Sequence, residues 1–174
     1  MSRTQDPLTM DYILLVIIER QPTHAYDLHK QVTTSDELKT LWTFRQSRLY
    51  AVLDKIERNG LISTSIDPES PLPVRKICTI TPLGKSAFEN WLHSPANHMN
   101  EIRSDFLGKL YFLKDRPQEE QLRVIELQKH QCEVWQQNIE KKLSEHSASD
   151  DYLHMIYSFR AEFIRSTLRW LDTL

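Results

Sequence analysis

Arg45, Gln46, Ser47 and Arg48 stand in a row, and Lys55 and Arg58 follow them at helical spacing. Guanidinium and ammonium groups neutralise phosphates, and Arg, Gln and Ser can also read base edges in a DNA major groove. Leu49, Val52, Leu53 and Ile56 fall at i, i+3, i+4 and i+7, which is one apolar face of a helix. Ser47, Arg48, Ala51, Asp54, Lys55 and Arg58 take the other side, and the small Ala51 permits close approach. Across 45–59 the bases Arg45, Arg48, Lys55 and Arg58 outnumber the acids Asp54 and Glu57. Two readings stand: a face that meets DNA, or a solvated face on which Lys55 and Arg58 pair with those acids along the helix. A second basic element follows, because Ser70 to Ser86 holds Arg75, Lys76 and Lys85 and no acid.

The elements that position these groups are legible from periodicity. Met10, Ile13, Leu14, Ile17 and Ile18 predict a first helix over 8–19, ending before Pro22. A second helix is expected from Thr23 as N-cap through Val32, followed by a polar loop, TTSDELKT. The third helix is 45–59, closed by Gly60 in the left-handed position past a helix end. Alternation over Leu61–Ile66 predicts a strand, Asp67-Pro-Glu-Ser-Pro-Leu-Pro a turn-rich loop, and Val74–Ile80 the return strand. Thr81 caps the next helix, with Pro82 at its first position and Leu83, Ala87, Phe88, Trp91 and Leu92 on one side. Three helices, three strand-and-loop segments and a closing helix are the order of a winged helix-turn-helix with a β-hairpin wing.

The chain divides near Pro95, giving a winged-helix domain over 1–94 and a helical domain over 95–174. Helices are expected at 99–113, 117–144 and 151–171. In the middle one, Leu122, Ile125, Cys132, Trp135, Ile139 and Leu143 span a sector of about 140°. That helix would be about 42 Å long, more than the small first domain can cover, so a second copy of the chain is the expected cover. Ile156, Phe159, Phe163 and Trp170 extend the same dimerisation surface. For Trp135, Tyr152, Phe159, Phe163 and Trp170 core or dimer packing is one reading; a pocket for a small planar aromatic effector is another.

Several chemistries find little support. The three glycines, Gly60, Gly84 and Gly108, are too dispersed to cradle a phosphate, and no cofactor is expected. There is no G-x-S-x-G elbow and no H-E-x-x-H, so no enzyme is expected. His24/His29 and His93/His98 are five apart, not i, i+4 pairs, and no metal is expected. Cys78 and Cys132 fit reduced thiols in a cytoplasm. The 174 residues carry a formal net charge of −2 with no run of about 18 apolar residues, and the polar N-terminus shows no secretory signal. The charge balance through Ser94 is even, which keeps open a winged-helix protein-interaction module without DNA binding.

His24-Ala25-Tyr26-Asp27-Leu28, Leu41-Trp42, Ser47-Arg48-Leu49-Tyr50-Ala51-Val52-Leu53 and Glu57-Arg58-Asn59-Gly60-Leu61-Ile62 occur in this order. They are followed by Arg75-Lys76 and Ile80-Thr81-Pro82-Leu83-Gly84-Lys85. This series resembles the PadR family of bacterial transcriptional regulators over about the first 92 residues. Asp105-Phe106-Leu107-Gly108-Lys109-Leu110 and the helices after it are similar to the branch with a large C-terminal domain, which includes virulence-gene activators. The resemblance implies a winged-helix dimer on near-palindromic promoter DNA, with helix 45–59 in the major groove and wing 67–80 on flanking DNA. Tyr26 and Tyr50 match tyrosines that approach the DNA backbone in that family; on its own residues, Tyr26 reads equally as a half-buried core tyrosine. Ala25 stands where the family usually has Gly, and Gln46-Ser47 where it often has Pro-Gly.

Overall fold

Helix α1 (Thr9–Arg20) is the post of the first unit in a computed structural model that describes residues 9–42, 45–67, 75–145 and 151–174. Ile13, Leu14, Leu15, Val16, Ile17 and Ile18 are all buried, so α1 is apolar nearly all round and must be surrounded. What surrounds it is a strand β1 (Thr23–His24), α2 (Ala25–Thr34), α3 (Asp36–Leu41), α4 (Gln46–Arg58), β2 (Ile62–Ile66), β3 (Lys76–Ile80) and α5 (Pro82–Leu92). The three strands form an antiparallel sheet in the order β1-β3-β2. Ile62 faces Ile80 and Ile66 faces Lys76 across the hairpin, while Thr23 pairs with Cys78.

Two sequence expectations are corrected here. Thr23 is not a helix cap but the start of β1, because its backbone pairs with β3, and His24 takes the cap position of α2. TTSDELKT is not a loop: α2 runs to Thr34 and Ser35 starts α3 by accepting a hydrogen bond from the Leu38 amide at 3.2 Å. Asp36 and Glu37 then sit in the first turn of α3, where the helix dipole favours acids. The expected close of α4 is observed, since Gly60 has φ +71°. Thr81 also caps α5 as expected: its Oγ1 accepts from the Gly84 amide at 3.0 Å and donates to the Gly60 carbonyl at 2.7 Å. The wing residues 68–74, with Val74, and Phe44 before α4 lie outside the described residues.

The chain forms two units, and the first takes a piece from beyond its own end. Unit one runs to Leu92 and also includes Arg103–Phe112; unit two is His93–Ile102 with Leu113–Leu174. The expected helix over 99–113 is three successive pieces, a 3₁₀ turn Met99–Glu101, a π-turn Ile102–Phe106 and α6 (Leu107–Leu113). Phe106 and Phe112 are buried in unit one. Asp105 is the hub there: Oδ1 accepts from Trp91 Nε1 at 2.6 Å and from Thr9 Oγ1 at 2.9 Å, and Oδ2 faces Lys109 Nζ at 2.7 Å. Lys109 is 1% exposed, and its ammonium also lies 5.3 Å from the Trp91 ring. Such a charge is tolerated in a core only because it is paired and hydrogen-bonded.

Unit two is built on α7 (Gln118–Glu145) and α8 (Asp151–Leu171), packed side by side. Val124, Ile125, Cys132 and Ile139 of α7 and Ala161, Ile164 and Leu171 of α8 are buried. Buried Gln128 is satisfied by accepting from the Ala96 amide at 2.7 Å, which fixes the start of the unit on α7. Lys129 bridges Glu126 and Asp172, each at 3.2 Å, so its ammonium is held above the ordinary lysine range. Burial pushes the Cys132 thiol up, making it a packing group.

Candidate nucleic-acid interface

The local sequence makes α4 two-faced. Leu49, Val52, Leu53 and Ile56 are buried, as their spacing predicts. Arg45, Gln46, Ser47, Arg48, Tyr50 and Arg58 are exposed. Arg45 is the N-cap, and an arginine side chain has no acceptor to offer the first-turn amides. No acid stands in that turn. The beginning of α4 therefore combines outward amides, the positive end of a helix dipole and two guanidinium groups, an arrangement that suits phosphate oxygens. The contrast with α3, capped by Ser35 and opened by two acids, is direct.

Lys55 differs from the other cations of this helix in having a partner on α1. Its Nζ lies 2.6 Å from Asp11 Oδ2 on α1, and Asp11 is 1% exposed. It is spent on a part-buried ion pair that ties α4 to the central post, not offered to solvent. Neither Asp54 nor Glu57 is its partner in this pairing: Glu57 accepts from Thr64 Oγ1 at 2.5 Å, and the Asp54 carbonyl accepts from Arg58 Nε at 3.2 Å.

The second basic element lies at the base of the wing. Arg75 and Lys76 are exposed at the start of β3. His24 holds this base: Nε2 is 3.2 Å from Asp67 Oδ2 and Nδ1 is 3.2 Å from the Lys76 carbonyl. The Asp67 amide donates to the Arg75 carbonyl at 2.9 Å, closing the hairpin as far as it is described. Tyr26 is 60% exposed, which sets aside the core reading, and Tyr50 is 41% exposed. Tyr26, Tyr50, Arg75 and Lys76 border one cavity of about 410 Å³ between the start of α2, α4 and the hairpin. The structure thus brings these four together beside the exposed face of α4. Cys78 lines the same cavity, and burial, then the Glu57 carboxylate, pushes its thiol up.

Residues 13–90 match the family described as transcriptional regulator PadR-like. That stretch is similar to the PadR-like family. It spans α1 to α5, including every exposed residue described above at α4 and the wing base. A curated relative, the negative transcriptional regulator PadR of Bacillus subtilis, is 24% identical over 176 residues, covering 95% of this chain and 94% of the relative. Among solved structures, Bacillus subtilis PadR in complex with operator DNA is 18% identical with a TM-score of 0.49, covering 95% of this chain and 97% of that one. The same protein with p-coumaric acid gives 18% and 0.44, covering 95% and 96%. The smu.1604c protein of Streptococcus mutans UA159 gives 21% and 0.45, covering 94% and 96%.

Outside the PadR-like stretch, the residues expected to form a dimer surface separate into two groups. Ile125, Cys132 and Ile139 are buried by this chain alone, so the second helix α8 supplies the cover that their stripe demanded. Leu122, Phe159 and Phe163 are exposed, and Trp135, Leu143, Ile156 and Trp170 are half-buried. Sequence reasoning missed the anchors: Asp11 for Lys55, Asp67 for His24, and the Asp105 hub. Apart from the i, i+4 spacing of Asp105 and Lys109, the sequence held no spacing signal for them, because the pairing groups are distant along the chain. Among the described residues no helix is long and apolar enough to cross a membrane.

Proposed function

We propose that this protein is a transcriptional regulator that binds a near-palindromic promoter site as a homodimer, with α4 of each subunit in the major groove. Gln46, Ser47 and Arg48 read base edges, Arg45, Arg58 and the two tyrosines meet the backbone, and Arg75 and Lys76 hold flanking phosphates. Lys55 is left out of this set because Asp11 holds it. The observation that carries the reading is the exposed, acid-free N-terminal turn of α4 in a PadR-like stretch. DNA in the cytoplasm is the working target. A winged-helix module that binds protein is the second reading, favoured by the even charge of the first 94 residues.

The homodimer rests on α8. Tyr152, Met155, Phe159 and Phe163 recur on one face and are exposed, an apolar strip that a second copy would cover. An effector site rests on the cavity of about 650 Å³ in unit two, bordered by Trp135, Phe159 and Phe163 with Lys142 and Arg160. Three aromatic rings and two cations suit a planar aromatic anion.

The test is a gel shift on the promoter fragment beside the protein's own gene, with excess nonspecific competitor, at two salt concentrations. A competitor-resistant, salt-sensitive shift that an Arg48→Ala/Arg75→Ala variant loses is the expected result. Absence of any shift at low salt, on this fragment and on a random duplex library, would leave the protein-binding module as the reading. Titration of aromatic acids against tryptophan fluorescence tests the effector site, and a flat response across a broad panel removes it.

A further inference from the structure

The segment that unit one takes from beyond its end touches Trp42, at the end of α3. A Cβ at Gly108 would stand 2.6 Å from Trp42 Cζ2 and 2.7 Å from Trp42 Cη2, so the indole rests on the bare backbone of α6. Trp42 ends α3, donating its amide to the Leu38 carbonyl at 2.8 Å, and lies three residues before Arg45, the N-cap of α4. Behind Gly108, the segment is pinned. Asp105 ties it to Trp91 of α5 and Thr9 of α1, Lys109 closes the pair from one turn on, and Phe106 and Phe112 are buried. The π-turn that brings Asp105 to this hub is an irregularity of the kind helices carry at functional positions. It also lies where the chain passes from unit two into unit one.

We propose that Gly108 and Trp42 are positioning residues for DNA reading: α6, packed on the Trp42 indole, sets how the N-terminal turn of α4 is presented to base edges. This rests on the DNA-reading role proposed above. The physical reason is leverage. Close-packed contacts do not yield gradually, and Trp42 lies only three residues before Arg45, so a shift of the indole by a few tenths of an ångström is felt close to the N-cap of α4. Arg45, Gln46, Ser47 and Arg48 occupy the first turn of α4, where base hydrogen bonds tolerate little misplacement. Phosphate contacts from Arg75 and Lys76, on the hairpin, do not depend on that turn. The device therefore weighs more on specificity than on nonspecific affinity.

The experiment uses the full chain and duplexes that the wild type selects from a random library. Affinity for the selected duplex is divided by affinity for a scrambled one, for wild type, Gly108→Ala, Trp42→Phe and the double variant. Gly108→Ala is expected to lower that ratio about tenfold or more, with scrambled-duplex affinity falling far less than affinity for the selected duplex. The double variant, in which a smaller ring makes room for the added methyl, is expected to recover most of the ratio; a merely structural role would not yield that rescue in specificity alone. An unchanged ratio in folded Gly108→Ala overturns the proposal. Should Gly108→Ala fail to fold by circular dichroism, Trp42→Phe decides: a lowered ratio supports the proposal and an unchanged one overturns it. A wild type that selects no motif overturns the DNA-reading role itself, and that control separates the two failures.

Discussion

Helices α4 and α8 are both amphipathic, and they differ in what they leave outside. The apolar side of α4 is consumed by its own unit: Leu49, Val52, Leu53 and Ile56 are buried, and the exposed side includes Arg45, Gln46, Ser47, Arg48, Tyr50, Asp54 and Arg58. Helix α8 buries Ala161, Ile164 and Leu171, yet Tyr152 is 68% exposed and Phe159 70% exposed. A finished apolar face with cations outside is made for a polyanion in water. An unfinished apolar face gains by losing water, at about 25 cal/mol per Å² buried, and so is made for another apolar surface. On the function proposed, reading and assembly fall on separate parts of the sequence.

The contrast can be broken most forcefully at the hub that lets unit one finish its core. Asp105→Ala removes the carboxylate that faces the buried Lys109 ammonium and accepts from Trp91 and Thr9. A loss of about 3–5 kcal/mol is expected in urea unfolding. A loss below about 1 kcal/mol would mean that the hub is not what closes the unit. The next probe is on α8. Phe159→Asp is expected to weaken self-association about tenfold or more by analytical ultracentrifugation, with little change in monomer unfolding. Unchanged association would place the interface elsewhere. The smallest effect is at an exposed pair on α3. A hydrogen bond from Lys39, and then its charge, hold the Asp36 carboxyl below its ordinary range. The pair's contribution is therefore present above the ordinary aspartate pKa and lost as pH falls through the lowered one. Lys39→Ala should shave stability slightly near pH 7 and match wild type in strong acid, a difference near the limit of detection for a solvent-facing pair.

What the sequence showed and what it hid follow from the range of the interactions involved. The core face of α4, the Gly60 close and the Thr81 cap are local patterns, and the structure has all three where periodicity and capping rules put them. Helix α3 was read as a loop because its six residues carry only one buried side chain, Leu38, too few for a periodic signal; Ser35 followed by two acids was the cue available. Strand β1 was missed for a similar reason, since two residues cannot alternate and only pairing with β3 defines them. At the candidate site, exposed cations were legible as charge but their partners were not. Lys55 and Arg58 look alike on a helical wheel. Only the fold shows that Asp11, 44 residues earlier, claims the first. The buried stripe of α7 was legible as a demand for cover, and α8 of the same chain meets part of it.

The central claim is that α4 reads DNA with its first turn while Lys55 serves the fold. The direct measurement places Arg48→Ala and Lys55→Ala side by side, each followed by affinity for a selected duplex and by thermal unfolding. Arg48→Ala should lose about 1–3 kcal/mol of specific binding, relax base preference and keep the wild-type unfolding midpoint. Lys55→Ala should lower the midpoint, because the Asp11 carboxylate loses its 2.6 Å partner, and keep its DNA affinity at temperatures where it is folded. Full specific affinity in Arg48→Ala, or a DNA defect in Lys55→Ala without any loss of stability, would contradict the account.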